Sequence, residues 1–294
     1  MSNQPWSIEQ GILLNDGARI PRLAFGTYGL EAGDQAKESV LCALEAGYRH
    51  LDCARMYANE RSIGEALAQS GVARKDVFIT SKVWNDRQQT GQVRQSCEET
   101  LDALGIDQLD LFLIHWPVSG HYRKTWETLQ ELKADGLVKS IGVANFEQEH
   151  LAAIAADGDE MPVVDQIENH PYFCDVKLIE YLANNGIVVE SWSPYGRGKC
   201  FGDPVIAAIA QAHGADQGQV ISAWHMQHGF VPLPRSSKPQ RIADNLKAFD
   251  LTLSKDEMTA IDGLNKMERI LPECTPTTFE EFFEEVHYTD SPHD

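Results

Sequence analysis

The stretch LDLFLIHWPVSGHYRKTWETLQELKADGLVKSIGV, residues 109–143, joins two strand-length segments through one helical segment. Residues 109–114 and 138–143 are short, largely apolar runs, whereas residues 125–134 place apolar side chains at the spacing of a helix. A strand, a helix and a second strand in direct succession predict a βαβ unit with two parallel strands.

The same alternation recurs along most of the chain. Strands are predicted at residues 22–25, 48–52, 77–81, 109–114, 138–143, 163–168, 187–191 and 229–233. Helices are predicted at residues 35–46, 62–70, 92–104, 125–134, 148–156, 176–184, 205–213, 217–227 and 239–248, with a further one near 255–263.

This repetition decides the fold class. Eight strand-helix units without a long Pro, Gly or Ser linker favour an α/β fold, the (β/α)8 TIM barrel, with residues 1–294 as a single domain. An open doubly wound sheet would show a Gly-x-Gly-x-x-Gly turn after its first strand, and the sequence has none there.

Two segments lie outside the repeat. An N-terminal hairpin is predicted over residues 12–20, because Asp16-Gly17 supplies the positive φ angles of a tight turn, and we expect it to act as a lid. The acidic, irregular segment from about residue 265 to residue 294 is predicted to be a C-terminal tail over the barrel mouth.

Composition excludes several classes of protein and partner. Of the 294 residues, 43% are hydrophobic and 23% charged, which excludes disordered, collagen-like and coiled-coil chains. The 25 Lys and Arg against 44 Asp and Glu give a net charge of -19, which repels nucleic acid and anionic membrane surfaces. No nucleic-acid or membrane partner is therefore expected.

Cysteine usage and the chain start indicate the compartment. The 6 cysteines form no Cys-x-x-Cys pair and no His spacing completes a zinc site, so neither a disulfide scaffold nor a metal site is predicted. The first residues lack a signal-peptide pattern, and no apolar run approaches the roughly 20 residues of a membrane span. A cytoplasmic location is expected.

Polar residues close six of the predicted strands. Because the active site of a (β/α)8 barrel forms at the carboxyl ends of its strands, these residues are candidates for catalysis and binding. They are Asp52, Lys82, His115, Asn145, Gln166, Glu168, Ser191 and Ser193.

Four residues suggest proton chemistry. Asp52 and Lys82 end adjacent strands, and each would be costly if left unpaired in a partly buried mouth, so an ion pair is predicted. The Lys82 ammonium is expected to lower the phenolic pKa of Tyr57 and make it a proton donor. His115 is expected to donate a hydrogen bond to a carbonyl oxygen.

At these residues the sequence resembles the aldo-keto reductases, a family of (β/α)8 barrels that reduce carbonyl compounds with NADPH. The resemblance covers most of the chain, and its motifs occur in order at matching strands. They are LDCARMY (51–57), TSKVW (80–84), LIHWP (113–117), IGVANF (141–146), DQIENHP (165–171) and RSSKPQR (235–241).

The resemblance implies a reaction and its site residues. Asp52, Tyr57, Lys82 and His115 would form a catalytic tetrad, with hydride passing from NADPH to the carbonyl carbon and Tyr57 protonating the oxygen. Asn145 and Gln166 would hold the nicotinamide carboxamide, and Trp192 would stack on the ring. The other positions assigned to the cofactor on this side are Gly26, Thr27, Ser193 and Tyr195.

The basic segment at residues 235–241 stands out in an acidic sequence. It lies at the start of a predicted helix, where a phosphate is favoured. The resemblance implies that Arg235 and Ser236 contact the 2′-phosphate, with Ser237 beside them, and that NADPH/NADP+ is the cofactor. Around the adenosine it implies Arg241, Asp244 and Asn245.

Three positions depart from the family pattern. Ala144 stands where many members carry Ser, Asp165 replaces a common Asn, and Trp192 replaces the commoner Tyr. Trp192 and the short segment 117–124 resemble the bacterial diketogluconate reductase branch, which indicates a bacterial type of enzyme.

The substrate is a small carbonyl compound by this interpretation, and the protein a monomer, with a dimer as the alternative. Tyr28, Trp84, His115 and Trp116 are predicted to line the pocket, which would suit aldehydes, keto sugars or α-dicarbonyls. A cofactor-binding regulatory or redox-sensing subunit with little turnover stays open as an alternative function. A metal-dependent hydrolase is disfavoured, because the strand ends lack clustered His and Asp.

Overall fold

Eight parallel strands form the centre of the molecule in the computed structural model, which describes residues 10–158 and 160–270. Each barrel strand pairs in parallel with the next one along the chain. The hairpin strands are β1 (Ile12–Leu13) and β2 (Arg19–Ile20). The barrel strands are β3 (Phe25–Gly26), β4 (His50–Asp52), β5 (Phe78–Val83), β6 (Leu109–Ile114), β7 (Val138–Ala144), β8 (Val164–Glu168), β9 (Val188–Trp192) and β10 (Val231–Pro232).

Backbone hydrogen bonds close the sheet between its first and last strands. The amide of Ala24 donates to the Pro232 carbonyl over 3.1 Å, and that of Gly26 donates to the Pro234 carbonyl over 3.0 Å. A Cβ at Gly26 would lie 3.0 Å from the Leu233 carbonyl oxygen, so this close approach favours glycine. The predicted (β/α)8 barrel is confirmed.

The helices surround the strands. They are α1 (Asp34–Ala46), α2 (Glu60–Gln69), α3 (Asn85–Gln89), α4 (Val93–Leu104), α5 (Tyr122–Ala134), α6 (Gln148–Ala156), α7 (Val176–Asn184), α8 (Pro204–His213), α9 (Gln217–Gln227), α10 (Pro239–Asn245) and α11 (Lys255–Asp262). Helix α3 was not predicted, because its five polar residues carry no apolar period. The helix predicted over 239–248 ends at Asn245, and the chain tightens into a 3₁₀ turn over Leu246–Asp250.

Capping residues fix where several helices begin. Asp216 accepts from the amide of Gln219, whose side chain bonds back to the Asp216 amide, at the start of α9. Ser254 and Glu257 form the same reciprocal arrangement at α11. These short sequence signals explain why the predicted and observed helix starts agree there.

The hairpin closes the end of the barrel opposite the mouth. Leu14 and Ile20 are buried in one cluster with inward-facing strand residues such as Leu111. Asp16 Oδ2 accepts a 2.7 Å hydrogen bond from Ser140 Oγ, near the start of β7. Burial of the two aliphatic side chains contributes roughly 1.5–3 kcal/mol each, so the hairpin is a stabilising lid remote from the strand ends.

The described part of the C-terminal segment starts at the mouth. Glu168, the last residue of β8, accepts a 2.5 Å hydrogen bond from the Ile270 amide and a 3.1 Å bond from His170 Nε2. The rest of the predicted tail, residues 271–294, lies outside the described residues, and the single-domain assignment stays a prediction. None of the described helices is long and apolar enough to cross a bilayer.

Candidate active site

Lys82 lies at the centre of the barrel mouth, fully buried on β5. Its Nζ lies 2.7 Å from Asp52 Oδ1 and donates a 2.8 Å hydrogen bond to the Cys53 carbonyl. A third hydrogen bond, 3.2 Å long, reaches Tyr57 Oη. The ammonium thus uses its three donors on three acceptors, and the predicted ion pair with Asp52 is present.

Tyr57 reaches the mouth from a short 3₁₀ turn, Arg55–Tyr57, that follows β4. The next residue, Ala58, has a φ of 55°, a left-handed conformation that ends the turn. The Tyr57 ring packs edge-on against Tyr28 and His115, with centroids 5.1 and 5.9 Å away. The turn and the two rings together hold the hydroxyl beside Lys82.

The expected lowering of the Tyr57 pKa is wrong in its net direction. Burial of the phenol raises its pKa above the ordinary value of 10, and Asp52 adds to this, while Lys82 lowers it by less. The sequence argument counted the neighbouring charge and omitted desolvation. Tyr57 therefore carries its proton throughout the neutral range.

The protonation states of Lys82 and His115 also follow from burial and nearby charges. Burial alone would lower the pKa of Lys82, but Asp52 and Tyr57 outweigh it and raise that pKa, so Lys82 stays charged. Burial and the Lys82 charge lower the pKa of His115 well below its usual value. His115 is consequently a neutral imidazole that can donate one N–H.

His115 is held by aromatic packing and lies just after β6. Its ring is 4.7 Å from that of Trp84, in an edge-to-face contact. Its Nδ1 is buried without a hydrogen-bond partner in the described structure. Tyr28 is exposed beside Tyr57, Trp84 is fully buried against His115, and Trp116 borders a cavity shared with Asn145 and Arg269. That these three residues line a substrate pocket stays a prediction.

Asn145 and Trp192 form one unit on the far side of the mouth. Trp192 Nε1 donates a 2.8 Å hydrogen bond to Asn145 Oδ1, and Asn145 Nδ2 donates a 3.0 Å bond to the His115 carbonyl. Asn145 and Ser193 have φ angles of 61° and 49°. Left-handed backbone at non-glycine residues is costly and concentrates at functional sites.

Gln166 connects this side to the ion pair. Its Nε2 lies 2.9 Å from both Asp52 Oδ1 and Glu190 Oε2. Asp52, Lys82, Asn145, Gln166 and Trp192 are thus brought together at the mouth, as the sequence resemblance implies.

The loop after β3 is tied down from both sides. Thr27 Oγ1 donates a 2.8 Å hydrogen bond to the Asp52 carbonyl, and Asn59 Nδ2 donates to the carbonyls of Thr27 and Leu30. The Arg235 guanidinium donates to the carbonyls of Tyr28 and Gly29. Gly26 and Thr27 therefore lie in a fixed loop, with Arg235 spanning it.

The remaining predicted cofactor residues lie along the basic segment and α10. Ser237 and Arg241 are exposed, while Ser236 and Asn245 are buried. In the described structure the side chains of Lys238 and Arg241 make no hydrogen bond or ion pair. Asp244 Oδ1 pairs with Lys247 at 2.7 Å. The Tyr195 hydroxyl lies 2.8 Å from Ser222 Oγ, on α9.

The departures from the family pattern have structural consequences. Asp165 is fully buried, with one 3.4 Å contact from the Phe146 amide and an unpartnered Oδ2, and burial raises its pKa well above the ordinary value. Ala144 is buried in the inner core. No group of metal ligands occurs among the described residues, whose five cysteines are free thiols.

Sequence reasoning missed Glu190, His50 and Thr80. They lie inside the barrel beneath the ion pair, fully buried, with His50 Nε2 2.9 Å from Thr80 Oγ1. The strand-end pattern could not find them, because they lie two residues before Trp192, Asp52 and Lys82, respectively, one inward-facing layer deeper in the barrel. The available signal was Glu190 itself, a charged residue at an inward position of an apolar strand.

Comparison with known proteins identifies the family. The sequence pattern of the Aldo/keto reductase family matches residues 22–266, so the chain belongs to this family of oxidoreductases. It is 41% identical over 268 residues to the glyoxal reductase of Bacillus subtilis (strain 168), covering 91% of this chain and 97% of that protein. The family resemblance seen in the sequence is confirmed.

Solved structures agree. The aldo/keto reductase of Brucella melitensis superposes with a TM-score of 0.84 at 39% identity, covering 86% of this chain and 97% of that one. The Bombyx mori aldo-keto reductase, solved in complex with NADP, gives a TM-score of 0.84 at 34% identity, covering 91% and 95%. The cofactor class implied by the sequence is the one bound in that neighbour.

Proposed function

We propose that this protein reduces aldehydes or ketones to alcohols with NADPH, and that Tyr57 donates the proton. The observation that carries the proposal is the placement of Lys82 Nζ, within hydrogen-bond distance of both Asp52 Oδ1 and Tyr57 Oη. A charged lysine held by a carboxylate beside a protonated phenol is an arrangement for proton transfer to an oxygen.

The residues at the mouth fit a nicotinamide cofactor. Gln166 and Asn145 present amide groups beside the tetrad, and the Trp192 ring is half-buried next to them. Lys238 and Arg241, which have no ion-pair partner among the described residues, supply positive charge on an otherwise acidic protein, where a phosphate would be attracted. When bound, NADPH supplies the hydride.

The chain's own residues supply the proton and the electrostatics. Tyr57 keeps its proton at Oη because burial raises its pKa, and it releases that proton only when a stronger base forms nearby. Lys82 at 3.2 Å then stabilises the phenolate, while Asp52 holds the ammonium in place. Neutral His115 donates an N–H to the carbonyl oxygen and so orients it.

The substrate class follows from the lining. Tyr28 and Trp116 give the entrance aromatic surface, with Trp84 buried against His115, and this suits small aldehydes and dicarbonyls that lie flat against rings. Because a Bacillus subtilis relative is named glyoxal reductase, glyoxal and methylglyoxal are the first compounds to test.

The test is a carbonyl screen that follows the absorbance of the reduced nicotinamide, with NADH in parallel. Turnover of α-dicarbonyls or small aldehydes with NADPH supports the proposal. Tight NADPH binding without turnover of any carbonyl would instead support the regulatory or redox-sensing alternative.

A further inference from the structure

Glu190 occupies the middle of β9 and points into the barrel. Val189 packs in the outer core, between the strands and the helices, whereas Val188 packs against the inward-facing strand residues inside the barrel. Because side chains alternate along a strand, Glu190 points inward like Val188. The side chain is fully buried, and a buried carboxyl is costly to maintain. None of the four tetrad residues is hydrogen-bonded to it.

Its main contact is the side-chain amide of Gln166. Glu190 Oε2 and Asp52 Oδ1 each lie 2.9 Å from Gln166 Nε2, so the two N–H groups of that amide go to two carboxyl groups. An ion-paired carboxylate such as Asp52 only accepts hydrogen bonds. The amide must therefore turn its nitrogen toward Asp52 and Glu190, and its oxygen the other way.

The second acceptor is what fixes the amide plane. The terminal torsion of a glutamine is broad, and one N–H bond to Asp52 would leave the amide free to rotate about that contact. The bond to Glu190 removes this freedom. Gln166 Oε1 makes no hydrogen bond with the described residues and is not fully enclosed, so it faces the accessible mouth.

We infer that Glu190 is a positioning residue that orients Gln166, so that Gln166 Oε1 accepts a hydrogen bond from the carboxamide N–H of the nicotinamide. This inference rests on the proposed function. Glu190 would then help the protein to bind a cofactor with a carboxamide group more tightly than an analogue that lacks the carboxamide N–H.

The surroundings of Glu190 let it serve in either protonation state. Burial, with the nearby Asp52 charge, raises its pKa to about 8, while burial and Lys82 lower the pKa of His50 to about 3. Neutral His50 Nε2 lies 3.6 Å from Glu190 Oε1, the oxygen that has no hydrogen bond within the described part of the chain. A proton on Oε1 leaves Oε2 as an acceptor for Gln166 below as well as above this pKa.

The experiment compares two cofactors in matched variants. Glu190→Met removes the acceptor with little change of volume, and Glu190→Gln keeps an oxygen that can take the place of Oε2. Isothermal titration calorimetry gives the Kd of each protein for NADPH and for its 3-acetylpyridine analogue, in which an acetyl group replaces the carboxamide. Circular dichroism verifies the fold of each variant.

We expect Glu190→Met to weaken NADPH about fivefold, as for one neutral hydrogen bond, and the analogue less than twofold. Glu190→Gln should keep most of the NADPH affinity. The double variant Glu190→Met, Gln166→Met should bind NADPH little more weakly than Gln166→Met alone, since both residues act through the Gln166 amide.

Equal losses for the two cofactors, or an unchanged Kd for NADPH in Glu190→Met, would overturn the assignment. A general structural role would weaken both cofactors alike. Should Glu190→Met not fold, Glu190→Asp withdraws the acceptor by one methylene group, with the same outcomes expected. A wild-type protein that does not bind NADPH would contradict the proposed function itself, and is recognised without any variant.

Discussion

The indole of Trp192 is hydrogen-bonded to the side chain of Asn145, with 2.8 Å between Nε1 and Oδ1. Asn145 has a left-handed backbone, and its Nδ2 bonds the carbonyl of His115, so the hydrogen bond links the end of β9 to the residue after β6. A tyrosine, the commoner residue at this position in the family, has no N–H to make this bond. Trp192, which departs from the family pattern, is thus held by a hydrogen bond that tyrosine could not make in this way.

Replacing Trp192 with Phe tests this anchor. The variant keeps an aromatic face but loses the donor, and we expect the Kd for NADPH to rise about twofold to tenfold, the range for one hydrogen bond. Trp192→Tyr also lacks the indole N–H and should behave like Trp192→Phe. Calorimetry is the measurement, since the substitution removes a fluorophore, and equal affinities in all three proteins would show that the bond to Asn145 does not position the ring.

Tyr57→Phe tests the proton donor. Phenylalanine keeps the packing against Tyr28 and His115 and removes only the hydroxyl, so kcat should fall at least about hundredfold while the Kd for NADPH changes by less than about twofold. Turnover is followed through NADPH oxidation with a small aldehyde. Retention of wild-type kcat would remove Tyr57 from the proposed reaction.

Lys82→Met separates the electrostatic role from stability. It leaves the carboxylate of Asp52 buried without its cation, which costs about 3–5 kcal/mol of unfolding free energy, and it removes the group that stabilises a Tyr57 phenolate. The matched control is Lys82→Met with Asp52→Asn, in which neither charge remains. We expect this pair to recover stability in urea unfolding but not kcat.

Recovery of both properties in the double variant would mean that Lys82 serves the fold alone. Loss of neither property in Lys82→Met would contradict the ion pair as well as its role in catalysis.

The sequence predicted the barrel well, because its eight strands are separated by helices whose apolar period and caps are local signals. The strand-end rule placed Asp52, Lys82, His115, Asn145 and Gln166 at the mouth, because the carboxyl ends of the barrel strands meet at one face, while their catalytic and binding roles stay predictions. It could not predict the pKa of Tyr57, since desolvation depends on Tyr28, His115 and the surrounding walls, which come from distant parts of the chain. Glu190 was missed because it lies two residues before the end of β9, one layer deeper in the barrel than the strand-end residues.

Two arginines allow a test of cofactor selection. The family resemblance implies that Arg235 contacts the 2′-phosphate and that Arg241 lies near the adenosine. In the described structure, however, the Arg235 guanidinium is engaged with the carbonyls of Tyr28 and Gly29, whereas Arg241 is exposed and unpaired, so we predict that Arg241 recognises the 2′-phosphate. Losing a guanidinium that pairs with a phosphate costs about 1.5–3 kcal/mol, so Arg241→Ala should weaken NADPH roughly tenfold to hundredfold and NADH hardly at all.

Arg235→Ala should weaken both cofactors, because the loop after β3 loses its tie. Both dissociation constants are measured at fixed ionic strength, since phosphate contacts are screened by salt. If Arg241→Ala weakens NADPH and NADH to the same extent, Arg241 does not recognise the 2′-phosphate.

Burial of Asp165 makes the stability of the protein depend on pH. Burial raises the pKa of Asp165 well above 3.8, so the folded chain keeps a proton there that the unfolded chain releases. Stability from this group is therefore complete below the unfolded pKa and is lost as the pH rises toward the folded pKa. Asparagine, the common residue at this position in the family, does not titrate.

We expect Asp165→Asn to gain stability relative to the wild type as the pH rises from about 4 to about 8. Glu190 titrates in both proteins and cancels in the difference. The asparagine amide would replace Oδ2, which has no partner among the described residues, and this changes stability by an amount that does not depend on pH. The measured quantity is therefore the slope, against pH, of the difference between the two free energies of unfolding. If the difference in free energy of unfolding stays constant across this range, Asp165 has the same pKa in the folded and unfolded chains. A hydrogen-bond partner other than the Phe146 amide would then have to stabilise the buried carboxylate.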